Sequence, residues 1–88
     1  MQTLIFYSKP GCHLCEGLQE KLGQITNLNF KLEVRDIMTN PKWFELYQYE
    51  IPVLCLVMNG TEKALPRFSP RTSAAKIRQK LATYFKDV

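Results

Sequence analysis

The feature that most constrains this chain is an apolar, strand-like segment that stops at a turn and is followed at once by two cysteines. Residues 3–7 read Thr-Leu-Ile-Phe-Tyr, Ser8-Lys9-Pro10-Gly11 is a turn, and Cys12-His13-Leu14-Cys15 opens an amphipathic stretch. A strand that is apolar on both faces needs cover on both faces, which asks for helices on either side of a sheet. Two thiols three residues apart at a helix start can trade a disulfide with another molecule. The unpaired N–H groups and positive dipole end of the helix favour a thiolate at the first cysteine, Cys12. The alternative is a pair of cysteines that merely pack.

The other elements follow from periodicity and turn chemistry. A helix is expected over residues 12–25, with Leu14, Leu18, Leu22 and Ile25 on one face. Asn27-Leu28-Asn29 breaks it. Phe30, Leu32 and Val34 alternate with Lys31, Glu33 and Arg35, the mark of a strand with one solvated face. Asn40-Pro41 reads as an N-cap and first-turn proline of a short helix whose Trp43, Phe44, Leu46 and Tyr47 are expected in the core. Residues 53–58 form a third, fully apolar strand, Asn59-Gly60 a two-residue hairpin turn, and residues 61–65 a fourth, antiparallel strand. Ser69-Pro70 is expected to cap the last helix, whose apolar stripe is Ala74, Ile77, Leu81, Tyr84 and Phe85. The order β-α-β-α-β-β-α describes an α/β fold, a four-stranded mixed sheet with helices on both faces, as one domain over residues 1–88.

Bulk properties exclude several classes. A hydrophobic content of 45% argues against disorder, and no apolar run approaches the ~20 residues of a membrane span. The first residues lack a basic segment and a long apolar one, so no secretory signal is expected. The net charge is +4, but the cations are mixed with Glu and Asp. Arg67, Arg71, Lys76, Arg78 and Lys80 read as a solvated helix face and a surface for acidic partners, not a nucleic-acid footprint. Three cysteines, an odd number, argue against a disulfide-stapled secreted scaffold. A cytoplasmic, monomeric protein with no membrane partner is the expectation.

The element order and the motif resemble the thioredoxin fold in the minimal form found in glutaredoxins. Residues 7–16, Tyr-Ser-Lys-Pro-Gly-Cys-His-Leu-Cys-Glu, closely resemble small glutaredoxin-like proteins with a Cys-His-Leu-Cys centre. Ile51-Pro52-Val53 resembles the family's cis-proline segment. By resemblance, a cis peptide at Ile51-Pro52 faces the thiols and leaves the backbone of Ile51 free to pair with an extended substrate. Lys9 matches the lysine that meets the glycyl carboxylate of glutathione. The chain departs from typical dithiol glutaredoxins where His13 and Leu14 replace Pro and Tyr, and where Glu50 replaces a Thr. It also departs at residues 65–70, which hold neither the Gly-Gly pair nor the Asp that grips the γ-glutamyl end. Arg67 or Arg71 offers a cation for a carboxylate, with no evident partner for the ammonium.

The resulting expectation is a thiol–disulfide oxidoreductase with Cys12 as nucleophile and Cys15 as resolving thiol. His13 and Pro52 support them, and Lys9, Gly11 and Ile51 contact substrate. His13 either favours the thiolate or is only an exposed first-turn residue; Lys9 either binds a carboxylate or is a solvated turn lysine. Cys55, in an apolar strand, reads as a small buried hydrophobe. Substrates are disulfide-containing proteins or small thiols. No cofactor is required, and the reductant is glutathione or a thioredoxin-type reductase. Two other classes stay open: a metal or iron–sulfur module, for which zinc normally needs four N/S ligands, and a non-catalytic binding module with the same fold.

Overall fold

The computed structural model describes residues 1–86, so the last two positions of the expected domain lie outside the described residues. Strand β1 (Gln2–Ser8) leads through the cysteine turn into helix α1 (His13–Gly23), then to strand β2 (Phe30–Asp36). A single 3-10 turn, Ile37–Thr39, precedes helix α2 (Pro41–Tyr47). Strands β3 (Val53–Met58) and β4 (Thr61–Ala64) form a hairpin, and helix α3 (Ala74–Phe85) follows. The sheet order is β2-β1-β3-β4; β1 pairs parallel to β2 and antiparallel to β3, and β3 pairs antiparallel to β4. Asn59 and Gly60 both take positive φ, 53° and 79°, as the tight hairpin turn demands.

Alternation along β1 builds two cores. Leu4 and Phe6 join Cys15, Leu22, Leu54, Leu56, Ile77 and Leu81 on the face covered by α1 and α3. Ile5 and Tyr7 point the other way, with Ile37 and Cys55, against Trp43 and Tyr47 of α2. No helix among the described residues is long and apolar enough to cross a membrane.

Several sequence expectations need correction. Leu14 is 49% exposed, and the buried face of α1 is formed by Cys15 and Leu22. Helix α2 has only two turns, so residues four apart, Trp43 and Tyr47, are the ones that meet the sheet; Phe44 and Leu46 stay exposed. On β2, an edge strand, Val34 is exposed while the guanidinium of Arg35 lies 5.0 Å from the Trp43 ring centre and 5.6 Å from that of Tyr7. The positive C-terminal stretch is not wholly solvated either. Arg78 donates to the carbonyls of Thr26 and Asn27 at 2.9 Å each, tying α3 to the loop after α1.

The last helix starts later than Ser69-Pro70 suggests. Ser69 instead closes a turn, its hydroxyl accepting from Arg71 N–H and its carbonyl from Thr72 N–H. Ser73 is the true N-cap, with extended backbone and Oγ accepting from Lys76 N–H at 3.1 Å. Ser69 is followed by Pro70-Arg71-Thr72, whereas Ser73 is followed by the stronger helix formers Ala74-Ala75-Lys76. Ser73→Ala should therefore destabilise the fold by about 1 kcal/mol. Ser69→Ala should cost measurably less. Urea denaturation of the two variants checks this, and equal losses would contradict the assigned cap.

Candidate active site

The end of β1 delivers the chain into the turn at residues 8–11. Gly11 has φ 79°, a left-handed conformation open to glycine at little cost, and Cys12 N–H donates to Lys9 O at 3.3 Å. This reversal sets Cys12 at the N-cap of α1, with φ −85° and ψ 104°. Its carbonyl accepts from Glu16 N–H, and its Sγ accepts from Cys15 N–H at 3.3 Å. A sulfur in that position takes the place usually held by a capping oxygen. The same N–H and the helix dipole stabilise its anion once the bond is reduced.

Cys12 and Cys15 are joined as a disulfide with a Cα–Cα separation of 5.2 Å. The two sulfurs are not equivalent. Cys15 is 2% exposed within the core, whereas Cys12 is half-buried and packs at the edge of the same cluster. Ile51 packs against that cluster and against the core on the other face, and Pro52 borders one cavity together with His13 and Leu14. The Ile51-Pro52 peptide is cis. The backbone of Ile51 is not free, however. Its N–H donates to Tyr47 O at 3.0 Å and its carbonyl accepts from Arg67 Nη2 at 3.4 Å. The helix α2 that precedes it ends close enough to claim the N–H, which leaves only the carbonyl, with one of its two lone pairs still open, for a further hydrogen bond.

Two cavities flank Pro52. One, of about 330 Å³, begins at His13 and Leu14, the residues between the cysteines, and runs past Lys21 to Phe68 and Pro70. The other, of about 220 Å³, lies toward Leu46, Tyr47 and Glu50. Leu18, Pro52, Arg67 and Phe68 border both.

With this geometry in place the comparisons are specific. Residues 3–82 match the glutaredoxin-like domain family (DUF836). The chain belongs to this family. Among solved structures, thioredoxin 1 from the thermophilic eubacterium Thermosipho africanus superposes with a TM-score of 0.66 at 18% identity, over 96% of this chain and 94% of that one. The target protein XcR50 from X. campestris gives 0.60 at 26% identity, over 91% and 96%. A malarial protein gives 0.66 at 14% identity, over 94% and 96%. No curated protein matches. The glutaredoxin-like chain thus has the thioredoxin fold with a Cys-x-x-Cys pair at the start of α1.

The remaining sequence candidates fall in different places. The His13 side chain is 95% exposed, with Nδ1 3.7 Å from Glu16 Oε2, so it faces outward along the helix. Lys9 is exposed and borders neither cavity; its backbone carbonyl, not its ammonium, braces the cysteine turn. Cys55 is a buried free thiol on the opposite face of the sheet, where desolvation holds its pKa above the ordinary range and keeps it protonated. Among the described residues, no three His, Cys, Asp or Glu side chains gather where they could hold a metal ion.

The structure adds residues outside the motif. Phe68 and Lys21 enter the site from a loop and a helix flank without a local signature, and Arg67, a candidate cation in the sequence, joins them there. Tyr7, one residue before the turn, is anchored from below. Its ring stacks on Tyr47 at 4.3 Å, its hydroxyl donates to Glu62 Oε1, and it accepts from Arg35 Nη1 at 2.9 Å. Burial, and then the Glu62 hydrogen bond, push the Tyr7 pKa well up, so the hydroxyl stays a donor. A tyrosine in an apolar strand does not announce partners on β2 and β4.

Proposed function

We propose that this protein is a thiol–disulfide oxidoreductase acting through Cys12 and Cys15. The observation that carries the reading is the asymmetry of the pair: an N-cap sulfur at the cluster edge bonded to one inside the core. In the reduced protein, the Cys12 thiolate attacks one sulfur of a substrate disulfide. A bond forms between Cys12 and that sulfur as the substrate bond breaks, and the other sulfur leaves as a thiolate that takes up a proton. Cys15, deprotonated, then attacks Cys12 Sγ. The Cys12–Cys15 bond forms, the second substrate thiol departs, and two electrons have passed to the substrate. A cellular reductant, glutathione or a thioredoxin-type reductase, restores the dithiol. No organic cofactor enters this cycle. For a zinc site instead, the pair supplies two of the four ligands usually needed, with no third metal-binding side chain gathered beside it among the described residues.

The test is equilibration in thiol–disulfide buffers with mass readout and thiol titration. The oxidised chain should lose both thiol hydrogens of Cys12 and Cys15, while Cys55 titrates only after denaturation. An oxidised form that keeps three titratable thiols in denaturant would refute the reading.

A further inference from the structure

Arg67 lies outside the cysteine motif yet borders both cavities, beside Pro52. One of its N–H groups reaches Ile51 O at 3.4 Å, a long contact on an exposed side chain. A guanidinium carries five donors in a planar fork. Among the described residues it makes no other hydrogen bond, so most of that fork is open to a ligand. The two cavities differ in charge. The smaller one carries Glu50 as well as Arg67. The larger one carries Arg67 and Lys21 and, among the described residues that border it, no carboxylate. Lys21 is already engaged, its Nζ donating to Pro70 O at 2.6 Å. Leu14, Leu18, Phe68 and Ile77 supply apolar walls around the open cation. Apolar walls lower the local dielectric and strengthen a charge-assisted, bidentate hydrogen bond.

We propose that Arg67 binds a carboxylate of the incoming disulfide in the larger cavity, so that disulfides bearing an acidic group near the reacting sulfur are the favoured substrates. This deepens the exchange reading above and rests on it. Arg67 keeps its one contact to Ile51 O while its open N–H groups take the acid, and the second lone pair of that carbonyl is left for a backbone N–H of a peptide substrate. Arg67 is a specificity residue in this scheme and takes no part in electron transfer.

The experiment measures second-order rates of the reduced protein with 3,3′-dithiodipropionic acid and its diamide. A second pair consists of disulfide-linked peptides with Glu or Gln next to the cysteine. The readout is the acid-to-amide rate ratio, in which the intrinsic reactivity of Cys12 cancels. Arg67→Ala should lower that ratio about tenfold, the scale of one charge-assisted hydrogen bond. Arg67→Lys should lower it less, and added salt should erode it in the unmodified protein. A change confined to the small acid assigns the carboxylate to a small molecule, and a change confined to the peptides assigns it to an acidic protein segment; either supports the proposal. Exchange with an unchanged ratio in Arg67→Ala would overturn this inference alone. So would a ratio that falls as far in Lys21→Ala. No exchange with any of the four disulfides would remove the exchange reading itself.

Discussion

Cys12→Ser should leave no disulfide exchange above the uncatalysed background, whereas Cys15→Ser should accumulate a stable mixed disulfide on Cys12. The reasoning starts from access. A substrate disulfide must approach the attacking sulfur in line, and Cys15, 2% exposed beneath the first helical turn, offers no such path. Cys12 sits at the cap position, with its sulfur 3.3 Å from the Cys15 N–H. A thiolate there gains a hydrogen bond and the helix dipole, and cysteines in comparable settings have pKa values of about 3.5–7.5 rather than ~8.5. Serine cannot replace it, because its hydroxyl stays protonated near neutrality and forms no disulfide. Without Cys15 the first step still proceeds, but nothing nearby displaces the product. Mass spectrometry of each variant after reaction with an excess of substrate disulfide reads both outcomes. Trapping on Cys15 in the Cys12→Ser variant would reverse the assignment.

Glutathione should serve this protein poorly, by roughly ten- to a hundredfold in affinity against a site that holds the whole γ-glutamyl group. That group presents an ammonium beside a carboxylate and needs an acid as well as donors. Helix α3 has no acidic residue in its first turn and is capped by Ser73. The loop before it, residues 65–73, contains no Asp or Glu. Glu50 borders only the smaller cavity, where Arg67 also stands. Lys9, which by resemblance matches the lysine that meets the glycyl carboxylate, borders neither cavity. One charge-assisted hydrogen bond lost amounts to about 1.5–3 kcal/mol. Rates with a glutathione mixed disulfide at rising glutathione concentration give the answer. Saturation at low concentration with fast turnover would contradict the expectation.

Much of the architecture is legible from local chemistry. The apolar run at residues 3–7, the Asn40-Pro41 helix start and the Asn59-Gly60 hairpin each depend on interactions within a few residues, and all three form where they are expected. The cysteine turn is of the same kind: Gly11 permits the reversal, and Cys12 caps the helix through its own sulfur. The family resemblance rests on two such local signatures, and the family match over residues 3–82 agrees with it.

Local chemistry is silent where faces and distances across the chain decide. Leu14 fits an apolar helix stripe, yet that position turns toward the cavity because Cys15 and Leu22 define the buried line. Phe44 and Leu46 are apolar enough for a core, but a two-turn helix offers the sheet only one narrow edge. Ser69-Pro70 has the form of a helix start, yet Ser73 is the N-cap and Ser69 only closes a turn. Ile51 illustrates the point within the site. Its cis peptide is what the family resemblance implies, but the occupation of its carbonyl depends on Arg67, sixteen residues away on another element. The sequence by itself therefore determined the cysteine pair and the elements that carry it, because caps, turns and periodicity act over a few residues. The surroundings of that pair, an arginine over the proline segment and a cavity with one sign of charge, arise from packing between distant segments, and only the tertiary structure decided them.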